Sequence, residues 1–177
     1  SISDLRNTDI VPESDMSRTS FMFKGGSKLG EKISVEARAN YIHEKVNNRP
    51  ALSDSPNNIG NALIGIAPNF DQKWLSTGYK DEFGRYNQWN GNEYRLNPYW
   101  IINEMTNKSV KDRVMGHIQF NYDITSFLSF QLKGGTDFYT FRLTEFTPLS
   151  TPGAANGTMA ERSVKVFENN YEGLIRF

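Results

Sequence analysis

Residues 33–44 read ISVEARANYIHE and alternate apolar with polar side chains at almost every step. One side of this stretch would hold Ile33, Val35, Ala37, Ala39 and Tyr41, and the other Ser34, Glu36, Arg38, Asn40 and Glu44. A period of two residues is that of a β-strand, whereas the helical period of 3.6 would scatter both sets around the axis. The stretch therefore predicts a strand with one apolar and one polar face.

Four further stretches show the same alternation. Val114–Ile124 and Leu128–Phe138 are the clearest, and Arg18–Lys24 and Ser163–Phe177 are weaker. The first two are separated only by Thr125–Phe127, which predicts a hairpin. We therefore expect an all-β, antiparallel, up-and-down arrangement of about five strands.

The predicted connections alternate in length. Short ones lie at 27–32 and 125–127, a very long one at 45–112, and one of about twenty residues at 142–162. Short turns on one side and long loops on the other are typical of transmembrane β-barrels of the bacterial outer membrane. On this interpretation loops 45–112 and 142–162 face the cell exterior. Five strands are fewer than a closed barrel needs, so we expect one part of a larger barrel.

Composition excludes several classes of protein. Lys plus Arg and Asp plus Glu both number 20, so no basic excess points to nucleic acid. The chain has no cysteine, which excludes thiol catalysis, disulfides and thiolate metal sites. The chain contains no apolar run of about 18 residues, so the sequence predicts no membrane-spanning helix. A barrel with a polar lumen also has a polar average composition, so the composition is consistent with one.

Several short motifs resemble the SusC/RagA family of TonB-dependent outer-membrane transporters. They are Arg49-Pro50-Ala51-Leu52, Ser55-Pro56-Asn57-Asn58, Asn97-Pro98-Tyr99-Trp100, Lys111-Asp112-Arg113-Val114-Met115-Gly116, residues 122–129 and Gly135-Thr136-Asp137-Phe138-Tyr139. The resemblance extends from about residue 19 to residue 177, with the motifs in the same order as in the family. The Asn-Pro-Tyr-Trp block ahead of the Lys-Asp-Arg strand start is the most specific of them.

The resemblance implies a 22-stranded barrel closed by an N-terminal plug, in the outer membrane of a Gram-negative bacterium. Such a protein imports oligosaccharides or peptides, with a SusD-like surface lipoprotein as its lid and the TonB complex as its energy source. The 177 residues would supply part of the barrel wall, in contact with outer-membrane lipid, and contain neither a plug domain nor a TonB box.

The long predicted loop is rich in aromatic and amide side chains. The candidates for contact with substrate or lid are Trp74, Tyr79, Tyr86, Trp89, Tyr94, Tyr99, Trp100 and Asn97. Flat rings suit the apolar face of a sugar, and amides suit its hydroxyls. Alternatively, these residues form the loop's own small core or a surface on which a lid docks.

The polar strand faces supply the candidates for the barrel lumen: Glu36, Arg38, His117, Gln119, Asn121, Lys133 and Asp137. They would contact either the plug or the cargo. Calcium binding in the long loop stays open, because Asp71, Asp81, Glu82, Asn87 and Asn92 offer oxygen ligands without the spacing of a known calcium loop. Ser55 and Pro56 predict the start of a helix over 57–67.

Two other classes of function compete with transport. A soluble carbohydrate-binding β-sandwich or lectin-like module would also show alternating strands and exposed aromatic residues, and it would bury Phe21, Ile118 and Leu132 in its core. A glycan-cleaving enzyme would need two carboxylates held about 5 to 10 Å apart. Nothing in the sequence pairs two carboxylates, so we predict that the protein is not an enzyme.

Overall fold

A computed structural model describes residues 1–177 and contains one antiparallel sheet of six strands in sequential order. The strands are β1 Ile2–Thr8, β2 Asp15–Leu29, β3 Ile33–Asn47, β4 Thr106–Asp123, β5 Ser129–Thr147 and β6 Thr158–Arg176. Three short helices, α1 Ile59–Ile64, α2 Gln72–Thr77 and α3 Pro98–Glu104, lie between β3 and β4. The sheet is open, since β1 and β6 each pair on one side only. The predicted all-β, up-and-down arrangement is confirmed.

The connections sort by length onto the two ends of the sheet. Residues 9–14, 48–105 and 148–157 connect the strands at one end, which we call the loop edge. Residues 30–32 and 124–128 connect them at the other, the turn edge. The first of these turns is closed by Gly30 with φ 73°, a conformation that glycine adopts without strain. Residues 48–105 are called the large loop below, and 148–157 the small loop.

The strand boundaries correct four sequence predictions. β1 was missed, because ISDLRNT is a polar edge strand whose residues are all exposed. β2 extends to Leu29, so the turn predicted at 27–32 shortens to 30–32. The loops predicted at 45–112 and 142–162 shorten to 48–105 and 148–157, since β3 to β6 continue beyond the apolar pattern. Charged residues occupy both faces there, so the alternation of apolar and polar residues is lost although backbone pairing continues.

The register places the two predicted sets of side chains on opposite faces. Residues directly opposite each other in an antiparallel pair point to the same side of the sheet. The rows that contain Ile33, Val35, Ala37, Ala39 and Tyr41 continue through β2, β4, β5 and β6 and form what we call the apolar face. The rows between them form the polar face.

Over this span of β2 to β6 the apolar face carries no charged residue. Its members are Phe21, Phe23, Gly25, Ser27 and Leu29; Ile33, Val35, Ala37, Ala39 and Tyr41; Val114, Gly116, Ile118, Phe120 and Tyr122; Phe130, Leu132, Gly134, Thr136 and Phe138; and Phe167, Asn169, Tyr171, Gly173 and Ile175. On the polar face the same span holds the charged residues Lys24, Lys28, Glu36, Arg38, Lys133, Asp137, Glu168 and Glu172.

No second layer covers the apolar face within the chain, because the chain forms a single sheet. Phe21, Ile118 and Leu132, which a β-sandwich would bury, are 47%, 61% and 48% exposed. Within β5 the apolar-face residues are the more exposed ones, while their polar-face neighbours are partly covered. In β5 this distribution is the reverse of that in a water-soluble sheet, which covers its apolar side.

Candidate functional site

The large loop has a core of its own, centred on Trp100 of α3. Trp100 is 1% exposed, and Leu75 of α2 and Leu96 are each 2% exposed. The Tyr86 ring meets the Trp100 indole edge-on with 5.3 Å between centroids, and the Tyr79 ring lies 6.5 Å from it. Edge-to-face contacts of this kind stabilise aromatic clusters beyond the burial of area. The loop is therefore a small folded unit.

Asn97 joins three segments of this unit. Its side-chain oxygen accepts the backbone N–H of Tyr99 at 3.0 Å and so caps α3, and its side-chain amide donates to the Leu75 carbonyl at 3.1 Å. Its backbone N–H donates to the Tyr86 hydroxyl at 2.9 Å. Asn97 is fully buried, and these bonds satisfy polar groups that would otherwise be costly to bury.

The large loop is fastened to the small loop by two hydrogen bonds. The Trp100 indole N–H donates to Thr151 Oγ1 at 3.0 Å, and the Tyr86 backbone N–H donates to Ser150 Oγ at 2.7 Å. Thr151 is 2% exposed. Sequence reasoning missed Ser150 and Thr151, since nothing in the local sequence indicates contacts more than fifty residues away. The two loops therefore form one cap over the loop edge.

The candidates for substrate or lid contact differ widely in exposure. Trp100 and Asn97 lie inside the cap and present no surface to a ligand. Tyr79, Tyr86, Trp89 and Tyr99 are partly covered. Trp74 and Tyr94 are 65% and 71% exposed. Of the eight, these two rings are the ones free to contact a ligand or a partner.

Trp74 belongs to an aromatic group on the cap surface. The Phe70 ring lies between two indoles, 5.4 Å from Trp74 and 6.2 Å from Trp89, both edge-on. Trp89 is held by a hydrogen bond from its indole N–H to the Arg95 carbonyl at 3.0 Å. Gln72 on the same helix as Trp74 donates to the Tyr99 hydroxyl at 3.0 Å. Trp74 is thus an exposed ring on a rigid support.

The helix predicted over 57–67 is shorter and begins at a different residue. α1 spans Ile59–Ile64, and its N-cap is Asn58, whose side-chain oxygen accepts the Gly60 N–H at 3.0 Å. Ser55, the predicted cap, instead donates to the Asn57 side chain. Ser and Asn are both good N-cap residues, so residue type alone does not show which of the two begins the helix. The caps of α2 and α3, Asp71 and Asn97, went unrecognised in the sequence.

All seven lumen candidates lie on the polar face, as the register requires. Arg38 lies opposite His117, Glu36 opposite Gln119, and Gln119 opposite Lys133. Their neighbours include two ion pairs, Lys24 with Glu36 at 3.2 Å and Arg113 with Asp137 at 2.8 Å. Asn121 donates to Ser34 at 3.1 Å and accepts from Gln119 at 3.1 Å. The polar face is thus a hydrogen-bonded, charged surface of both signs.

A cavity of about 230 Å³ lies under the cap where the large loop meets the sheet. Its apolar wall includes Ile59, Ile101 and Met105, and its polar wall includes Asn107 and Glu145 of the polar face. The Asn107 amide donates to the Glu145 carboxylate at 2.9 Å. The lining also includes residues of the 9–14 connection and of β6. One cavity thus lies against residues from the whole width of the sheet.

Three of the five side chains that offer oxygens for calcium, Asp71, Asp81 and Asn92, use those oxygens in local hydrogen bonds. Asp71 accepts the Lys73 N–H, and Asn92 accepts the Tyr94 N–H. Asp81 accepts the backbone N–H groups of Phe83 and Arg85 and the Arg85 side chain. These bonds, the Arg85 backbone N–H foremost, lower the pKa of Asp81. No group of three His, Asp or Glu side chains is arranged to hold a metal ion.

The comparisons with known proteins add no relationship to this geometry. No protein-family model matches the chain, and no curated protein matches it. None of the helices is long and apolar enough to cross a membrane.

Proposed function

We propose that these 177 residues form part of the wall and the exterior cap of an outer-membrane importer of the SusC/RagA type. The observation that carries the proposal is the uncharged apolar face, continuous over β2 to β6 and open to the surroundings. Exposing such a face to water is unfavourable by about 25 cal/mol per Å² of apolar surface. Contact with lipid acyl chains removes this cost.

The dimensions of the apolar face support a membrane environment. On each strand it covers about nine residues, such as Ile33–Tyr41 on β3, and a transmembrane strand needs about 9–11. The eight steps from the first to the last of these residues, at about 3.4 Å each, span about 27 Å along the strand. A tilt of about 40° reduces that to about 20 Å, against an apolar band of about 25 Å in outer-membrane barrels.

The polar face would line the interior of the closed barrel. Its charges are of both signs and already paired in part, as in Lys24 with Glu36 and Arg113 with Asp137. Such a surface suits contact with a folded plug domain or with polar cargo. The unpaired edges of β1 and β6 would pair with further strands, because an open edge in a bilayer leaves backbone groups without partners.

The cap would lie outside the cell, because the loop edge carries all three longer connections. Its exposed rings, Trp74 and Tyr94, would meet the oligosaccharide or peptide cargo or the SusD-like lipoprotein lid. Energy coupling to the TonB complex would reside in a plug domain. The motifs that resemble SusC/RagA transporters support this assignment beyond a generic barrel.

Contact between the apolar face and lipid is tested by fluorescence quenching from brominated lipids. Single cysteines are introduced into the cysteine-free chain at Ile118 and Leu132 on the apolar face, and at Gln119 and Lys133 on the polar face. Each is labelled with bimane in the whole protein and reconstituted into bilayers. We expect strong quenching at 118 and 132 and little at 119 and 133. Equal quenching at all four sites, or none, would contradict the proposal.

Cargo contact is tested by fluorescence titration with a panel of oligosaccharides and peptides. Trp74→Phe should remove most of the response of a recognised ligand, because Trp74 is exposed. Trp89→Phe is the matched control, since that indole is held by the Arg95 carbonyl. A flat response to every ligand would leave lid docking as the role of the exposed rings.

A further inference from the structure

Charged residues of the strands follow the apolar face at only one of its two ends. At the turn edge the face ends in Leu29, Ile33, Tyr122, Phe130 and Ile175, all uncharged. At the loop edge the rows beyond Tyr41 and Phe138 hold the cations Lys45, Lys108, Arg142 and Lys165. We call these four residues the basic margin.

The four cations are neighbours on adjacent strands. Lys45 of β3 and Arg142 of β5 lie on either side of Val110 of β4, as the register shows. Lys108 is diagonal to both, and Lys165 of β6 is diagonal to Arg142. Diagonal neighbours on one face of a sheet are about 7–8 Å apart, within reach of long side chains. The basic margin is therefore one patch.

The cations of the basic margin make no salt bridge or side-chain hydrogen bond, whereas most acids near them do, and only Arg142 acts on one of those acids, Asp112. All four cations are exposed. The facing carboxylates are Asp112, Asp15 and Glu161. Asp112 accepts from the Tyr41 hydroxyl at 2.7 Å and lies 2.8 Å from His43 Nδ1, and Asp15 accepts twice from the Asn47 amide. Glu161 alone makes no such bond and stands on the edge strand.

We propose that the basic margin binds the phosphate groups of lipid headgroups in the outer leaflet, which rests on the proposed membrane orientation. The four cations point to the lipid side and begin where the uncharged face ends. That places them at headgroup depth, where Lys and Arg side chains extend toward anionic groups. Arg142 offers a planar guanidinium that suits two phosphate oxygens at once.

The arrangement favours a lipid-borne phosphate over a dissolved one. The cations follow the border of the apolar face across β3 to β6 instead of converging on a closed pocket. A phosphorylated glycolipid places its charge beside its acyl chains and so matches both neighbouring surfaces at once. Free phosphate would meet the cations alone, at an exposed site where salt screens the attraction.

The test uses the whole protein in detergent, titrated with bisphosphorylated lipid A, dephosphorylated lipid A and inorganic phosphate. The variant Lys45→Gln/Lys108→Gln/Arg142→Gln removes three cations of the basic margin. Lys24→Gln/Lys28→Gln/Lys133→Gln removes three from the polar face of the sheet, on β2 and β5, as a matched control. Each cation near an anionic surface contributes roughly fivefold in affinity, so the first variant should bind bisphosphorylated lipid A about a hundredfold more weakly. The control should bind like the native protein.

The outcomes separate this inference from the proposed function. Unchanged affinity in the first variant, or equal binding of dephosphorylated lipid A by the native protein, would overturn the inference. If inorganic phosphate bound as tightly as the lipid, the claim that the bound phosphate belongs to a lipid would be wrong. Brominated-lipid quenching is measured in parallel on the same variants carrying a bimane-labelled Ile118→Cys and reconstituted into bilayers. If quenching is retained, the proposed membrane placement stands whatever the lipid titration gives; if it is lost, both fail.

Discussion

The sheet and the cap bury their side chains in opposite ways. In the cap, Ala62, Leu75, Leu96, Trp100 and Thr151 are buried, as in any small globular unit. In the strands of the sheet, which are far longer than the helices of the cap, only Val46 and Ser109 are buried. Both lie at the loop edge, where the cap covers the polar face. The sheet keeps its apolar side chains exposed in large numbers.

On the proposed membrane placement, the difference reflects two solvents, water around the cap and lipid around the apolar face. The cap follows the rule for water, with its large apolar residues inside and its polar groups hydrogen-bonded. The apolar face of the sheet has no protein partner in these residues, and its uniform lack of charge is what acyl chains require. Comparable substitutions in the two regions should therefore have effects that depend on the medium as well as on the contacts.

The largest effect is expected from Trp100→Ala in the cap. Removing a buried indole leaves a cavity and leaves Thr151 Oγ1 without its donor, which should lower the free energy of unfolding of the cap by about 3–5 kcal/mol. Protease cleavage within residues 48–105 should then become fast while the sheet stays intact. Trp74→Ala, at a 65% exposed site, should change cleavage little. Loss of sheet structure together with the cap would show that the two regions are not separable.

A charge on the apolar face should have the next largest effect. Ile118→Lys places an ammonium near the middle of the uncharged span, which costs about 2–4 kcal/mol at the bilayer midplane. Gln119→Lys is its neighbour on the polar face and should cost close to nothing. Urea unfolding of the whole protein in lipid vesicles measures both. If the two variants unfold alike, the two faces do not differ in their surroundings.

The sheet was largely predictable from sequence because its signal is local. Alternation in residues 33–44 and 114–124 gave the strands, and the register then placed Glu36, Arg38, His117 and Gln119 on one face as predicted. The strand ends were not predictable, since beyond Tyr41 both faces carry charge and the period disappears. β1 was missed for the same reason: an exposed polar edge strand has no apolar face to reveal it.

The cap was predictable in composition but not in arrangement. The sequence shows its concentration of aromatic residues, which is compatible with both a core and a ligand surface. Which rings are buried in the core and which are exposed depends on contacts between residues distant in sequence, such as Trp100 with Thr151 and Asn97 with Leu75. No local pattern distinguishes the buried Trp100 from the exposed Trp74, because both stand on short capped helices.

The smallest expected effect is a pH response confined to one turn of the cap. Lys80 and Tyr86 pair across a tight turn in which the Asp81 carboxylate accepts the N–H groups of Phe83 and Arg85, both at 2.8–2.9 Å. These bonds and the Arg85 guanidinium lower the pKa of Asp81, so its ionised form stabilises the folded turn. That contribution is fully present above the pKa of an unfolded Asp and is lost as pH falls through the lower pKa of the folded turn. Hydrogen exchange at Phe83 and Arg85, corrected for its intrinsic pH dependence, should therefore lose protection in acid. In Asp81→Asn the same amides should exchange with no acid transition, whereas a transition that persists in this variant would assign the response to another group.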